Sequence, residues 1–252
     1  MSGVSRDQLL ACLDDLLETD LYKDYCPNGL QVAGRSQVRR VVTGVTACEA
    51  LIDAAIERQA DTVLVHHGYF WRNEDPRIIG MKQRRLSKLL GNQINLIAYH
   101  LPLDGHAELG NNAQLCQRLG VEETGRFGPQ SIAMSGRLAT PMTAERFAER
   151  VASVLERPPL RVGEPERLVE TVGICSGGAQ GYIDEAAALG LDLYISGEIS
   201  EQTSHSAVEN GIVYLAAGHH ATERFGVQAL GAWLADRFDG LEVEYVEIPN
   251  PA

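Results

Sequence analysis

A chain of 252 residues, 44% hydrophobic and 22% charged, is long enough for one large globular domain or two modest ones, each with its own core. Its net charge of -12 repels phosphate backbones, and the basic run "MKQRRLSK" (Met81 to Lys88) fits one face of a solvated helix, so nucleic-acid binding is not expected. No apolar stretch approaches the ~18 residues of a membrane span, and the opening "MSGVSRDQLLACLDDLLETD" has the pattern of an acidic amphipathic helix, not a signal peptide. A cytoplasmic protein without membrane attachment is expected.

After that first helix, strand-like and helix-like runs alternate: "VRRVVTGVTA", a helix over Glu49 to Arg58, "DTVLVHH", a helix near Arg77 to Leu90, and "INLIAYH". This is α/β order. The middle supplies the strand-like "SIAMSGRL", a helix from about Ala144 to Leu155 and the turn-rich connection "RPPLRVGEPER". The cysteines Cys12, Cys26, Cys48, Cys116 and Cys175 are odd in number, far apart and set in apolar segments, which predicts reduced, buried thiols.

The second half then repeats the first. "VTGVTACEALIDAAIERQADTVLVHHG" aligns without a gap on "TVGICSGGAQGYIDEAAALGLDLYISGE", placing Ile52 and Asp53 on Ile183 and Asp184, and Asp61 on Asp192. With a small shift, "INLIAYHLPLD" meets "VYLAAGHHATE", so that His100 falls on His219 and Asp104 on Glu223. A fold of two pseudo-repeated α/β lobes is expected, residues 1–128 and 129–252, with a ligand site at the carboxyl ends of the strands.

The histidines collect after strands: His66 and His67, then His100 and His106, then His219 and His220, with His205 apart in a helix-like run. Imidazole together with carboxylate suits divalent transition ions. His219 and Glu223, four apart, share one face at the start of a long helix running on from Gly218. Pro102 predicts a loop between His100 and Asp104. His106 reads as a surface residue and His205 as structural. His66 and His67 should diverge while their strand continues; Gly68 predicts a turn that lets both rings swing to one crevice. "CSGGAQG" (Cys175 to Gly181) is neither GxGxxG nor a P-loop and reads as a tight turn whose N–H groups could meet an anion. No GxSxG or oriented Cys/His nucleophile is visible.

"PNGLQVAG", "VHHGYFW", "HLPLDGHAELGNNAQL", "SGEISEQTSHSA", "AAGHHATERFG" and "IPNPA" resemble the bacterial short form of the GTP cyclohydrolase I type 2 homologue family, also called NIF-three-like, over nearly the whole chain. The resemblance implies two interlinked α/β lobes with a metal site in the cleft between them, a toroidal homohexamer built as a trimer of dimers, and a dinuclear centre. It implies as ligands His66, His67, Asp104, His219 and Glu223. His100 is kept as a second-shell or alternate ligand, and Glu198, opposite His67 in the repeat, as a carboxylate holding a ligand or water. The metals implied are two divalent ions per chain, of zinc, manganese, iron or nickel. The activity implied is metal-dependent hydrolysis of a small molecule, a nucleotide or related heterocycle; the alternatives are a metal-handling or regulatory protein without turnover, or a scaffold whose ring is the function.

Overall fold

The computed structural model describes residues 3–252. The fold is mixed α/β and divides into two compact units. One comprises residues up to Leu103 together with Gly226–Pro249; the other comprises Asp104–Phe225 with Asn250–Ala252. Each unit thus draws on two stretches of chain, and the division falls at Leu103/Asp104, not at 128/129. The reason lies in packing. Leu115, Cys116 and Leu119 of the helix Asn111–Leu119 belong to the second unit's core, while the strand Glu242–Tyr245 pairs with Arg40–Thr46 in the first unit.

The first unit is built on a five-stranded sheet in the order Glu242–Tyr245, Arg40–Thr46, Thr62–His67, Asn95–Ala98, Gly29–Val32. All neighbours are parallel except the last strand, which runs antiparallel. The second has a six-stranded sheet, in the order Val121–Phe127, Ala133–Thr143, Leu168–Ile174, Leu193–Ser196, Val213–Ala216, Leu160–Val162, whose middle three strands from Leu168–Ile174 to Val213–Ala216 are parallel. The central parallel strands carry short apolar runs buried on both faces, such as Val63-Leu64-Val65 and Leu193-Tyr194-Ile195. That is the pattern a sheet covered by helices requires.

The internal repeat is visible in the ladders. Val41 pairs with Thr62 and Val63 with Leu96; at the equivalent places Val172 pairs with Leu193 and Tyr194 with Tyr214. The aspartates that immediately precede the second strand of each trio do the same work. Asp61 accepts from the backbone N–H groups of Arg39 and Arg40 (2.8 and 3.1 Å), and Asp192 from those of Glu170 and Thr171 (3.0 and 2.9 Å). The third strand corrects the sequence alignment by one residue. Thr62 lies opposite Asn95 and Leu193 opposite Val213, so His100 is the counterpart of Gly218, not of His219.

Two local expectations are also revised. Pro102 sits in the first turn of a short helix, Leu101–Gly105, where its missing N–H costs nothing. The helix after Gly218 is not continuous: His219–Thr222 forms one turn, Glu223 leaves helical geometry at φ -112° and ψ 5°, and a second helix runs over Arg224–Arg237. The five cysteines are free, with Cys26, Cys116 and Cys175 buried and Cys12 and Cys48 half-buried. Among the described residues, no helix is long and apolar enough to cross a membrane.

Candidate metal centre

In the first unit the carboxyl ends of two neighbouring parallel strands bring three imidazoles together. His66 and His67 close the strand Thr62–His67, and His100 lies just past Asn95–Ala98. Ring centroids are 4.5 Å apart for His66 and His67, 5.1 Å for His66 and His100, and 5.7 Å for His67 and His100. One donor atom from each lies within 4.8 Å of the other two. The strand does continue through His67, which pairs with Thr46, so the two rings converge without an early turn. Gly68 has a different role from the one its sequence position implies, since a Cβ there would lie 2.2 Å from Gln31 Oε1, which accepts from the Tyr69 N–H.

Each ring is held through Nδ1. His66 Nδ1 lies 3.0 Å from the Tyr99 carbonyl oxygen, which can only accept, so Nδ1 carries the proton and Nε2 is the basic nitrogen. His67 Nδ1 meets Thr46 Oγ1 at 3.3 Å, and His100 Nδ1 meets Asp24 Oδ1 at 2.7 Å. Such oxygen partners are what orient histidine ligands in metal sites.

Asp24 escaped the sequence reading, because nothing in its spacing links residue 24 to residue 100. Its carboxylate accepts from His100 Nδ1, Asn28 Nδ2 (2.9 Å) and the N–H groups of Tyr25 (2.6 Å) and Leu101 (2.9 Å). Burial raises its pKa, but the His100 hydrogen bond and charge, with the Asn28 and Leu101 donors, outweigh it and bring the carboxyl down to about 2. Cys26 completes a second donor group with Asp24 and His100. Burial and the Asp24 charge push that thiol up to about 12, and the aspartate is already saturated, so this group anchors His100.

In the second unit, Asp104, His219, Glu223 and Glu198 surround the glycine turn after the strand Leu168–Ile174. Buried Asp104 accepts from Asn111 Nδ2 at 2.9 Å and Ser176 Oγ at 3.1 Å. Ser176 N–H donates to Asn112 Oδ1 at 2.8 Å. His219 stands between two carboxylates, with Nε2 3.2 Å from buried Glu223 and Nδ1 2.7 Å from exposed Glu198. The hydrogen bond that His219 donates to Glu223 outweighs burial, and with Glu198 adding to it, the imidazole is held up to about 9. Glu198 thus meets the Nδ1 of His219, a ligand candidate.

"CSGGAQG" finds its explanation here. A Cβ on Gly177, whose φ is +65°, would stand 2.1 Å from Glu223 Oε1 and 3.2 Å from His219 Nε2. The turn must be glycine so that backbone can lie against the carboxylate. Burial pushes the Cys175 thiol far above its usual range, which removes it as a nucleophile.

The remaining histidines fall outside these groups. His106 Nδ1 accepts from the N–H groups of Glu108 and Leu109, closing a turn, and His205 is exposed on the helix Glu201–Asn210. His220 is buried, and its N–H donates to the Ala252 carbonyl oxygen. Imidazole nitrogens with fixed tautomers and buried, hydrogen-bonded carboxylates are a donor set that fits a divalent transition ion.

Comparison with known proteins agrees with this architecture. The chain is 56% identical to a Vibrio cholerae protein named GTP cyclohydrolase 1 type 2 homolog, over 97% of this chain and 98% of that one. It is 57% identical to the Pseudomonas aeruginosa protein of the same name, over 99% and 100%. Among solved structures it is similar to protein ybgI, described as of unknown function, with a TM-score of 0.96 and 48% identity over 99% of this chain and 100% of that one. The profile of the Duf34/NIF3 (NGG1p interacting factor 3) family matches residues 4–251, and the chain belongs to that family.

Proposed function

We propose that the protein is a hydrolase dependent on two divalent metal ions, acting on a nucleotide or related heterocycle, with His66, His67, Asp104, His219 and Glu223 as ligands. The observation that carries this reading is the convergence of three imidazoles whose Nδ1 atoms are each held by an oxygen. The relatives' name, GTP cyclohydrolase 1 type 2 homolog, is what turns the substrate class toward nucleotides.

Two divalent ions, when bound, supply activated water near neutral pH and positive charge against a developing oxyanion. The chain's own contribution is orientation. The Tyr99 carbonyl fixes the His66 tautomer, Asp24 fixes His100, and Asn111 with Ser176 fixes the Asp104 carboxylate before any ligand arrives. Glu198 holds His219 Nδ1, so that Nε2 is the nitrogen that must give up its proton to bind metal.

The test is a metabolite-depletion screen comparing the intact protein with Asp104→Ala and His219→Ala. A metabolite consumed by the intact form alone supports a hydrolase and names its reaction. Metal bound by the intact form and lost in both variants, with nothing consumed, supports a metal-handling or regulatory protein instead. The family resemblance also supports a homohexamer built as a trimer of dimers, and a cytoplasmic location.

A further inference from the structure

We infer that Tyr25, Trp71 and Arg72, beside the histidines of the first unit, form a platform that recognises a planar, anionic heterocycle. The ring lies against the aromatic side chains and the anionic group against the Arg72 guanidinium. The inference deepens the hydrolase reading and rests on it for the class of substrate.

Aromatic residues make up only 6% of the chain, yet three gather here. Trp71 packs edge-on against His100 with centroids 4.9 Å apart and lies 5.9 Å from His67. Tyr25 lies 6.4 Å from His100 and is 55% exposed; Phe70, next to Trp71, is 37% exposed. A tyrosine that open beside a partly buried histidine cluster leaves a large apolar face in water.

The loop that presents them is held in an unfavourable backbone. Phe70 has φ +66°. A left-handed conformation is rare for a bulky residue and persists only where its surroundings over-determine it, as at ligand clamps. Those surroundings are visible. The Arg72 N–H donates to the Tyr25 carbonyl oxygen at 2.7 Å, Arg72 Nη2 donates to the Asp24 carbonyl oxygen at 2.9 Å, and the Trp71 indole donates to the Gly68 carbonyl oxygen at 3.2 Å. The same segment that orients His100 thus also fixes Arg72, while Gly68, one residue past His67, fixes Trp71.

Charge separates Arg72 from its neighbours. Arg77 pairs with Asp75 and Lys82 with Glu74, whereas among the described residues no carboxylate pairs with Arg72, whose guanidinium lies 5.7 Å above the Tyr25 ring. In a chain of net charge -12, an uncompensated arginine beside metal-ligand candidates favours an anion. Guanidinium matches phosphate or carboxylate geometry, and aromatic faces stack on bases.

The test is calorimetric binding to the full-length, metal-free chain, with GMP, guanosine and ribose 5-phosphate as probes. GMP is expected to bind at least about tenfold more tightly than either fragment. Trp71→Leu and Tyr25→Leu should weaken GMP and guanosine by about tenfold, the scale of losing one stacked base, and Trp71→Phe should restore binding. Arg72→Gln should weaken GMP and ribose 5-phosphate but not guanosine. Melting temperatures check that each variant folds. No GMP binding by the intact chain, or GMP binding unchanged in the Tyr25, Trp71 and Arg72 variants, overturns the platform. GMP binding through these residues with no metabolite consumed in the depletion screen upholds the platform and defeats the hydrolase reading alone.

Discussion

Asp24 has four donors on its carboxylate, and one of them, His100 Nδ1, ties a distant strand end to the loop at residue 24. Loss of such an oxygen partner typically weakens metal binding by 10–100-fold. Asp24→Asn, which cannot accept from all four donors, should weaken zinc binding by about that factor in competition with a chromophoric chelator. Unchanged affinity would separate His100 from the metal centre. Gly177 offers a second test at this scale. Its φ of +65° and the 2.1 Å approach to Glu223 Oε1 leave no room for a methyl group. Gly177→Ala should destabilise the fold by about 1 kcal/mol or more in urea unfolding and lower the bound metal together with it. A variant as stable as the parent would show that the turn can relax away from the carboxylate.

At the scale of elements, the strand trios of the two units are joined by the same device, an aspartate accepting backbone N–H groups from the neighbouring strand. For Asp192, burial raises the pKa, but the N–H groups of Thr171 and Glu170, the Thr171 hydroxyl and the Arg167 charge together lower it. A carboxyl depressed on folding contributes stability that is present above its unfolded value, ~3.9, and is lost as pH falls through the lower folded value. Asp192→Asn should therefore lower the melting temperature at pH 7, with the difference shrinking toward pH 3; a difference independent of pH would remove charge from the account. These trios were legible in the sequence because a strand buried on both faces is a continuous apolar run, and because Asp61 and Asp192 aligned without a gap. The one-residue slip at His100 was not, since only ladder pairing fixes register after a turn. The break at Glu223 was hidden as well: "HHATERFGVQAL" carries no proline or glycine at the point where the helix stops.

For the whole molecule, the division of the chain shows where sequence reading ends. The boundary at Leu103/Asp104 and the return of Gly226–Pro249 to the first unit depend on which sheet each element packs against, and local pattern carries no information about that. The candidate ligands His66, His67, Asp104, His219 and Glu223 were legible through motif resemblance and their place after strands. Asp24, Asn112 and Ser176, which orient them or their neighbours, were not, because each acts across tens of residues; Asn111 reaches Asp104 from only seven residues away, but across a turn that local pattern does not reveal. The proposed homohexamer predicts a solution mass near six chains of 27.5 kDa by light scattering, and a monomer at micromolar concentration would contradict it.

Metal content is the most direct test of the central claim. Elemental analysis of the purified protein after reconstitution should find about two divalent ions per chain, the number a shared-water site requires, falling sharply in Asp104→Ala and His219→Ala. Fewer than about one ion per chain in the intact protein would contradict a dinuclear centre.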